Sequence, residues 1–193
     1  IYIVPKVNGA MVSSYVAEYG QLKIYDETTA WIVRNESVYL ADTTGDTNYF
    51  FEEGSLVRKG GKIMEVTENS KTDDTDDEGN PIGPDDVYNG VLDRLGEDAI
   101  VKEDYRIEDV GLVSYYADGL ECALNLKTME EKDYAFFQQI SQDSVLPLHR
   151  KSVIAGEPVF KVVDRTKWYM VCFVDMDHME RYEAGSKVKV EFE

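Results

Sequence analysis

"VRKGGKIMEV" occupies Val57–Val66, and "VIAGEPVFKV" occupies Val153–Val162. Val57, Gly60, Ile63 and Val66 recur as Val153, Gly156, Val159 and Val162 at a constant offset of 96 positions. A second echo lies upstream of each: "GDTNYFFEEG" (Gly45–Gly54) resembles "GLVSYYADG" (Gly111–Gly119), with Tyr49-Phe50 over Tyr115-Tyr116. That echo has the shorter offset, so the second copy carries about thirty extra residues. An internal repeat of this kind dictates the architecture, because each unit has an apolar face that it cannot bury alone. Each half reads strand, glycine turn, strand, Glu/Asp-Gly turn, then Val-x-x-Gly-x-x-Ile/Val and another strand. The Val and Ile positions are expected to face inward, where two copies closing on each other bury them.

The segments around the repeat are also β-like. "AWIVRN", "SVYLAD", "TNYFFE", "KIMEVT", "LVSYYAD", "PVFKVV", "WYMVCFVD" and "KVKVEFE" are short, rich in β-branched and aromatic residues, and bounded by Gly, Asp or Asn. "KVKVEFE" alternates, with Val188, Val190 and Phe192 on one face. "GAMVSSYVAEYGQLKIYDE" reads as two further strands around Gly20. Two helices are expected. In "LKTMEEKDYAFFQQI" (Leu126–Ile140), Thr128 and Glu131 are spaced as a capping box, and Tyr134, Phe137 and Ile140 share a face. "DMDHMERYEAG" has acids first, Arg181 late and Gly185 as a stop. From Glu68 to Asp86 almost no apolar residue occurs, so this stretch reads as a mobile linker, followed by a helical turn or two in "VYNGVLDRL".

The 193 residues make one domain or two small ones, and a hydrophobic content of 43% supports a core. Twenty basic against 38 acidic side chains give a net charge of −18, which disfavours nucleic acid and leaves no polybasic patch for anionic lipid. No apolar run is long enough to span a bilayer. Cys122 and Cys172 show no metal spacing, their pairing does not follow from sequence, and Cys172 reads as a core strand residue.

"ESVYLADTTGDTNYFFEEGSLVRKGGKIMEV" resembles one half of a biotinyl/lipoyl-type module, and "VGLVSYYADGLE…KSVIAGEPVFKVVD" resembles the other. The ordered pair, followed by a strand-rich end reading "GSKVKVEF", resembles HlyD-like membrane fusion proteins, also called periplasmic adaptor subunits, in the flavour found in Gram-positive anaerobes. The resemblance covers residues 30 to 193. It implies a mainly β fold: a barrel-sandwich hybrid of two pseudo-symmetric halves, an adjoining small β-barrel and two short helices. The expected domains are 30–67 and 105–165 for the sandwich halves, 68–104 for an acidic flexible linker replacing the family's long helical hairpin, and 1–29 with 166–193 for the small barrel. The implied role is non-catalytic: an extracytoplasmic adaptor at the outer face of the cytoplasmic membrane, tethered by an upstream segment. Its expected partners are proteins, an ABC-type exporter or envelope machinery, with oligomerisation open and no cofactor. The alternatives are a lipoyl/biotinyl-type carrier domain of an enzyme complex and a calcium-responsive envelope binding module.

Lys71 in "ENSK" loosely resembles a lipoyl lysine, but acidic residues follow where a return strand is needed, so a plain linker lysine is the simpler reading. Asp74, Asp76, Glu78, Gly79 and Asp85 sit at EF-hand-like offsets, yet flanking helices and the bidentate Glu are missing, and a solvated charge run accounts for them. His149 and His178 lack a nucleophile elbow, and Cys122 lacks a neighbouring base. Glu52-Glu53 point to opposite sides of a strand and read as a turn flank. No residue is therefore assigned as catalytic, cofactor-binding or metal-ligating. Tyr15, Tyr19, Tyr25, Trp31, Tyr49, Phe50, Phe51, Tyr115, Tyr116, Trp168 and Tyr169 are mostly expected in the core, a surplus on one surface marking a protein contact. The helix of Leu126–Ile140 is the candidate contact element, against simple packing on the sandwich.

Overall fold

The structure, a computed structural model, describes residues 24–68, 88, 92–93, 95, 99–140 and 145–192. The strands are β1 (Ala30–Leu40), β2 (Gly45–Tyr49), β3 (Leu56–Val57), β4 (Met64–Glu68), β5 (Ile100–Val101), β6 (Gly111–Ser114), β7 (Tyr116–Ala117), β8 (Leu146–Pro147), β9 (Ser152–Val153) and β10 (Pro158–Cys172). Short helices η1 (Met129–Glu131), α1 (Tyr134–Gln138) and η2 (Met176–Arg181) accompany them, and Tyr88, Leu92, Asp93 and Leu95 are also helical. Among the described residues the strands form sheets ordered β3-β6-β10-β1-β5, β4-β2-β9 and β7-β8. The fold is mainly β, as the repeat requires.

The repeat is reproduced bond by bond. Within the first half Thr47 lies opposite Val66 on antiparallel β2 and β4. The same offsets carry that pair onto Val113 and Val162, which lie opposite each other on β6 and β10. The halves also exchange strands: Gly45 of the first pairs with Val153 of the second, and Gly111 of the second pairs with Val57 of the first. The Gly60 amide donates to the Ile107 carbonyl at 2.9 Å, and the Ile107 amide returns a bond to Gly61 at 3.1 Å. Across the pseudo-axis, the Gly156 amide donates to Ala41 at 2.8 Å and the Ala41 amide returns to Glu157 at 2.8 Å. Gly60 and Gly156 have φ of 79° and 89°, a left-handed conformation that side-chain-bearing residues avoid.

The core lies between the two larger sheets. Val57, Ile63, Val153, Val159 and Val162 are buried there, as their spacing predicts, while Val66 packs against the core half-exposed. The Tyr39 and Phe160 rings stack at 4.5 Å in its centre.

Several expectations are corrected. "AWIVRN" and "SVYLAD" are one strand, and "PVFKVV" and "WYMVCFVD" are another. Their pairing runs from Ala30 with Cys172 to Leu40 with Pro158, with a small register shift between Tyr39 and Leu40 and a larger one where Arg34 faces Trp168 and Glu36 faces Val163. At that bulge the extra residues of β10 are locally satisfied: the Thr166 amide and hydroxyl both donate to Asp164 Oδ1, at 2.7 Å each. Beyond it, β1 and β10 continue as a two-stranded ribbon. Several described residues within 68–104, the stretch expected as an acidic flexible linker, belong to the fold. Glu68 ends β4, helical Tyr88 and Leu95 are buried in the core, and β5 pairs parallel to β1. A hydrogen bond from Tyr88 Oη to the Pro147 carbonyl (3.2 Å) and the Arg150 guanidinium 4.1 Å above the Tyr88 ring hold Tyr88 in place.

The Leu126–Ile140 helix is broken in two. Thr128 donates to the Ala123 carbonyl and accepts from the Asn125 amide, so its hydroxyl is spent on a turn rather than on a capping box. Asp133 caps α1 instead, accepting from the Phe136 amide at 2.9 Å. "KVKVEFE" carries no strand pairing over its described residues 187–192, and Val188, Val190 and Phe192 are exposed. The strands expected around Gly20, with the rest of 1–23, lie outside the described residues.

Candidate interaction site

The second half carries its extra residues between Gly119 and Leu148, and they fold onto the ribbon. Val33 of β1, Leu124 and Phe137 form a second core, joined by Trp31, Leu126, Ile140 and Phe173. The Phe137 ring lies 5.0 Å from Trp31 and 5.5 Å from Phe173. This packing holds the insertion over the junction between sandwich and ribbon.

A charged triad sits beneath it. Lys161 Nζ is 2.7 Å from Glu36 Oε2 and 3.1 Å from Glu121 Oε1. The Glu121 side chain is fully buried, and its Oε2 has no hydrogen-bond partner among the described residues. Burial opposes the Lys161 ammonium, but the two carboxylates outweigh it and hold its pKa above the ordinary lysine value. For Glu36 burial wins over the pull of Lys161, and its pKa is raised. The origin of the triad is visible in the repeat. The residue matching Lys161 in the first half is Glu65, whose half-exposed carboxylate reaches Lys62 at 3.1 Å. In the second half the insertion roofs that position, so an otherwise outward-pointing charge is enclosed and given carboxylates from β1 and from the roof itself.

The other singled-out residues take mostly structural places. The His149 ring stacks on Tyr49 at 4.1 Å and meets Tyr115 edge-on at 5.1 Å. His178 Nδ1 is 2.6 Å from Asp26, which Arg181 and the Tyr182 hydroxyl also reach. The Tyr182 hydrogen bond outweighs the opposing effect of burial and, with His178 and Arg181, holds the Asp26 carboxyl below its usual range. Glu53 accepts from the Tyr115 amide at 2.6 Å, so the Glu52-Glu53 pair flanks a turn. No disulfide joins Cys122 and Cys172, and Cys172 is exposed on its strand rather than in the core. Tyr39, Tyr49 and Tyr115 serve the core. Tyr25, Phe50, Tyr116, Trp168 and Tyr169 are exposed, and Trp168 and Tyr169 lie together on the ribbon. Lys71, the acidic run Asp74–Asp85, Tyr15 and Tyr19 lie outside the described residues. Among the described residues no cluster of His, Cys, Asp and Glu could hold a metal, and no helix is long and apolar enough to cross a membrane.

Residues 36–164 match the family described as RND related, barrel-sandwich hybrid domain. The chain belongs to this family. The matched span begins and ends at the bulge, at Glu36 on β1 and Asp164 on β10. The barrel-sandwich hybrid domain is therefore the reciprocal pair of halves together with its insertion, and the ribbon leads out of it. The match places the chain with membrane-fusion adaptor domains at the coarse level, a class whose barrel-sandwich hybrid is non-catalytic and whose members are associated with the cell envelope and work with protein partners in transporter complexes. No curated protein and no solved structure matches.

Proposed function

We propose that this protein is a non-catalytic, extracytoplasmic adaptor of the HlyD-like type, coupling an ABC-type exporter or related envelope machinery to its partners. The observation that carries the reading is the reciprocal pairing of two halves around Gly60 and Gly156, inside the span matched by the family. Rigid positioning is the mechanism. A barrel-sandwich hybrid with a packed apolar core resists deformation, and β1 and β10 continue through the bulge out of it, so the ribbon and the sandwich move together. In this reading an upstream segment tethers the chain, residues 1–29 and 166–193 belong to a second, smaller domain beyond the ribbon, and the acidic stretch after β4 is the one that meets a partner. The exposed Trp168 and Tyr169 on the ribbon support a protein contact there, because large aromatics anchor interfaces.

Two measurements on the protein in its native cells test this. Fractionation with alkaline extraction should leave it in the membrane pellet, and a photo-crosslinker at Trp168 should capture an envelope or transporter protein. Recovery in the soluble fraction, or an intact mass bearing a lipoyl or biotinyl increment on any lysine, would overturn the adaptor reading in favour of a carrier domain.

A further inference from the structure

Between the insertion and the ribbon lies a cavity of about 310 Å³, near the lower end of the range for small-molecule sites. Its walls are apolar: Trp31 and Ile32 from β1, Leu120, Leu124 and Ile140 from the insertion. Its polar lining is Glu36, Glu121 and Lys161, with Asp118 and Arg34. The buried triad is unbalanced, since two carboxylates face one ammonium. Glu121 Oε2, on a side chain with no exposed surface, lacks a donor among the described residues, and a buried acceptor without one is destabilising. Asp118 adds a further negative group. Arg34, the other cation of the lining, makes no ion pair among the described residues. With the Glu121 carboxylate turned toward the cavity, an entering donor would satisfy the orphaned oxygen and balance the triad's charge, and the aliphatic and indole walls would hold an apolar stem behind it.

We infer that this cavity is a binding site for a small organic ammonium ion bearing an apolar group, with Glu121 and Glu36 as the anionic floor and Trp31 as a wall. The inference does not depend on the adaptor reading, because it uses the cavity alone.

The test uses the whole chain in 150 mM sodium chloride, where attraction of cations to the acidic surface is screened beyond about 8 Å. With Trp168→Phe in the background, Trp31 is the remaining tryptophan and reports from the cavity wall. Titration with n-hexylammonium chloride, followed by Trp31 fluorescence and calorimetry, should saturate at one site with a dissociation constant on the order of 1 mM. Hexan-1-ol and hexanoate should bind at least tenfold more weakly. Glu121→Gln should weaken n-hexylammonium at least tenfold, and Ile32→Arg, at an exposed wall position, should do so without touching the floor. Equal binding of hexan-1-ol would reduce the cavity to an apolar hollow, and tighter hexanoate would assign it to Arg34. Unchanged affinity in both variants would reduce the effect to diffuse surface charge. Each of these outcomes removes the proposal. If Glu121→Gln loses its cooperative melt, the hexan-1-ol comparison and Ile32→Arg decide.

Discussion

The two halves of the sandwich use one hydrogen-bonding scheme and differ in what covers it. In the first, a short turn follows Gly54 and the chain proceeds directly to β3. In the second, the matching turn at Gly119 opens into the insertion that folds back over β10. The position occupied by exposed Glu65 in one half is occupied by enclosed Lys161 in the other. The difference teaches that the backbone repeat tolerates a large change of environment at a single site, provided the newly buried charge arrives with partners.

Four substitution sets would break or sharpen that comparison. The largest effect is expected at the mismatched pair of positions. Lys161→Ala leaves Glu121 and Glu36 buried without a cation and should cost about 4 kcal/mol in denaturant unfolding. Glu65→Ala, which removes a half-exposed pair, should cost below about 0.5 kcal/mol. Equal losses would mean that the insertion does not enclose its site. The pH dependence has a definite sign: Lys161 has its pKa raised, so its stabilisation is complete below the ordinary lysine value and is lost as pH rises through the raised one. Alkaline melts of the wild type should show that loss, and Lys161→Met should not.

Next come Gly45 and Gly111, two glycines at close approach to a facing strand. A β-carbon on Gly111 would stand 2.5 Å from Val162 Cγ1 and 2.8 Å from the Val163 carbonyl oxygen, and on Gly45 it would collide with the equivalent Thr67 carbonyl. Gly45→Ala and Gly111→Ala should each destabilise by about 3 kcal/mol. A neutral result at one of them would show that the halves relax differently. At Gly60 a β-carbon meets open space, so Gly60→Ala acts through the positive φ that Gly156 shares, and Gly60→Ala and Gly156→Ala should each cost about 1 kcal/mol. The smallest change belongs to the insertion alone: Asp133→Ala removes the α1 cap and should cost about 0.5–1 kcal/mol, with hydrogen exchange rising at Phe136 and Phe137 but not in β4 or β6.

The repeat was legible because it rests on residues whose chemistry leaves few choices: glycines at positive φ or at close approach, and valines between them. The inward facing of Val57, Ile63, Val153 and Val159 followed from the same spacing. The length of the strands was not legible. Asn35 and the run from Asp164 to Thr166 look like chain breaks, yet they are the two sides of one bulge, and Asn35 Oδ1 is occupied by the Leu126 amide of the insertion at 3.3 Å. The docking of Tyr88 and Leu95 was masked by the acidic run before them. Lys161 could have been noticed as the lone charge in "PVFKVV", but its burial depends on what the insertion covers, which local pattern does not encode. The break between η1 and α1 arose because Thr128 had a nearer partner in Ala123 than the cap its spacing offered.

The exchange of strands has a consequence for how the chain reaches its native state. Gly45 finds Val153, and Gly111 finds Val57, so neither half can complete its sheet before the other has been synthesised. The Thr28 hydroxyl bonds the Phe173 carbonyl across 145 positions, and the ribbon therefore closes nearly the full described chain into one loop. Contacts this distant in sequence must overcome loop-closure entropy before they are rewarded, which places folding on the slow, millisecond-to-second side of small-domain behaviour. During that interval β2 and β6 would each present an unsatisfied edge, making the nascent protein more vulnerable to association than the finished one.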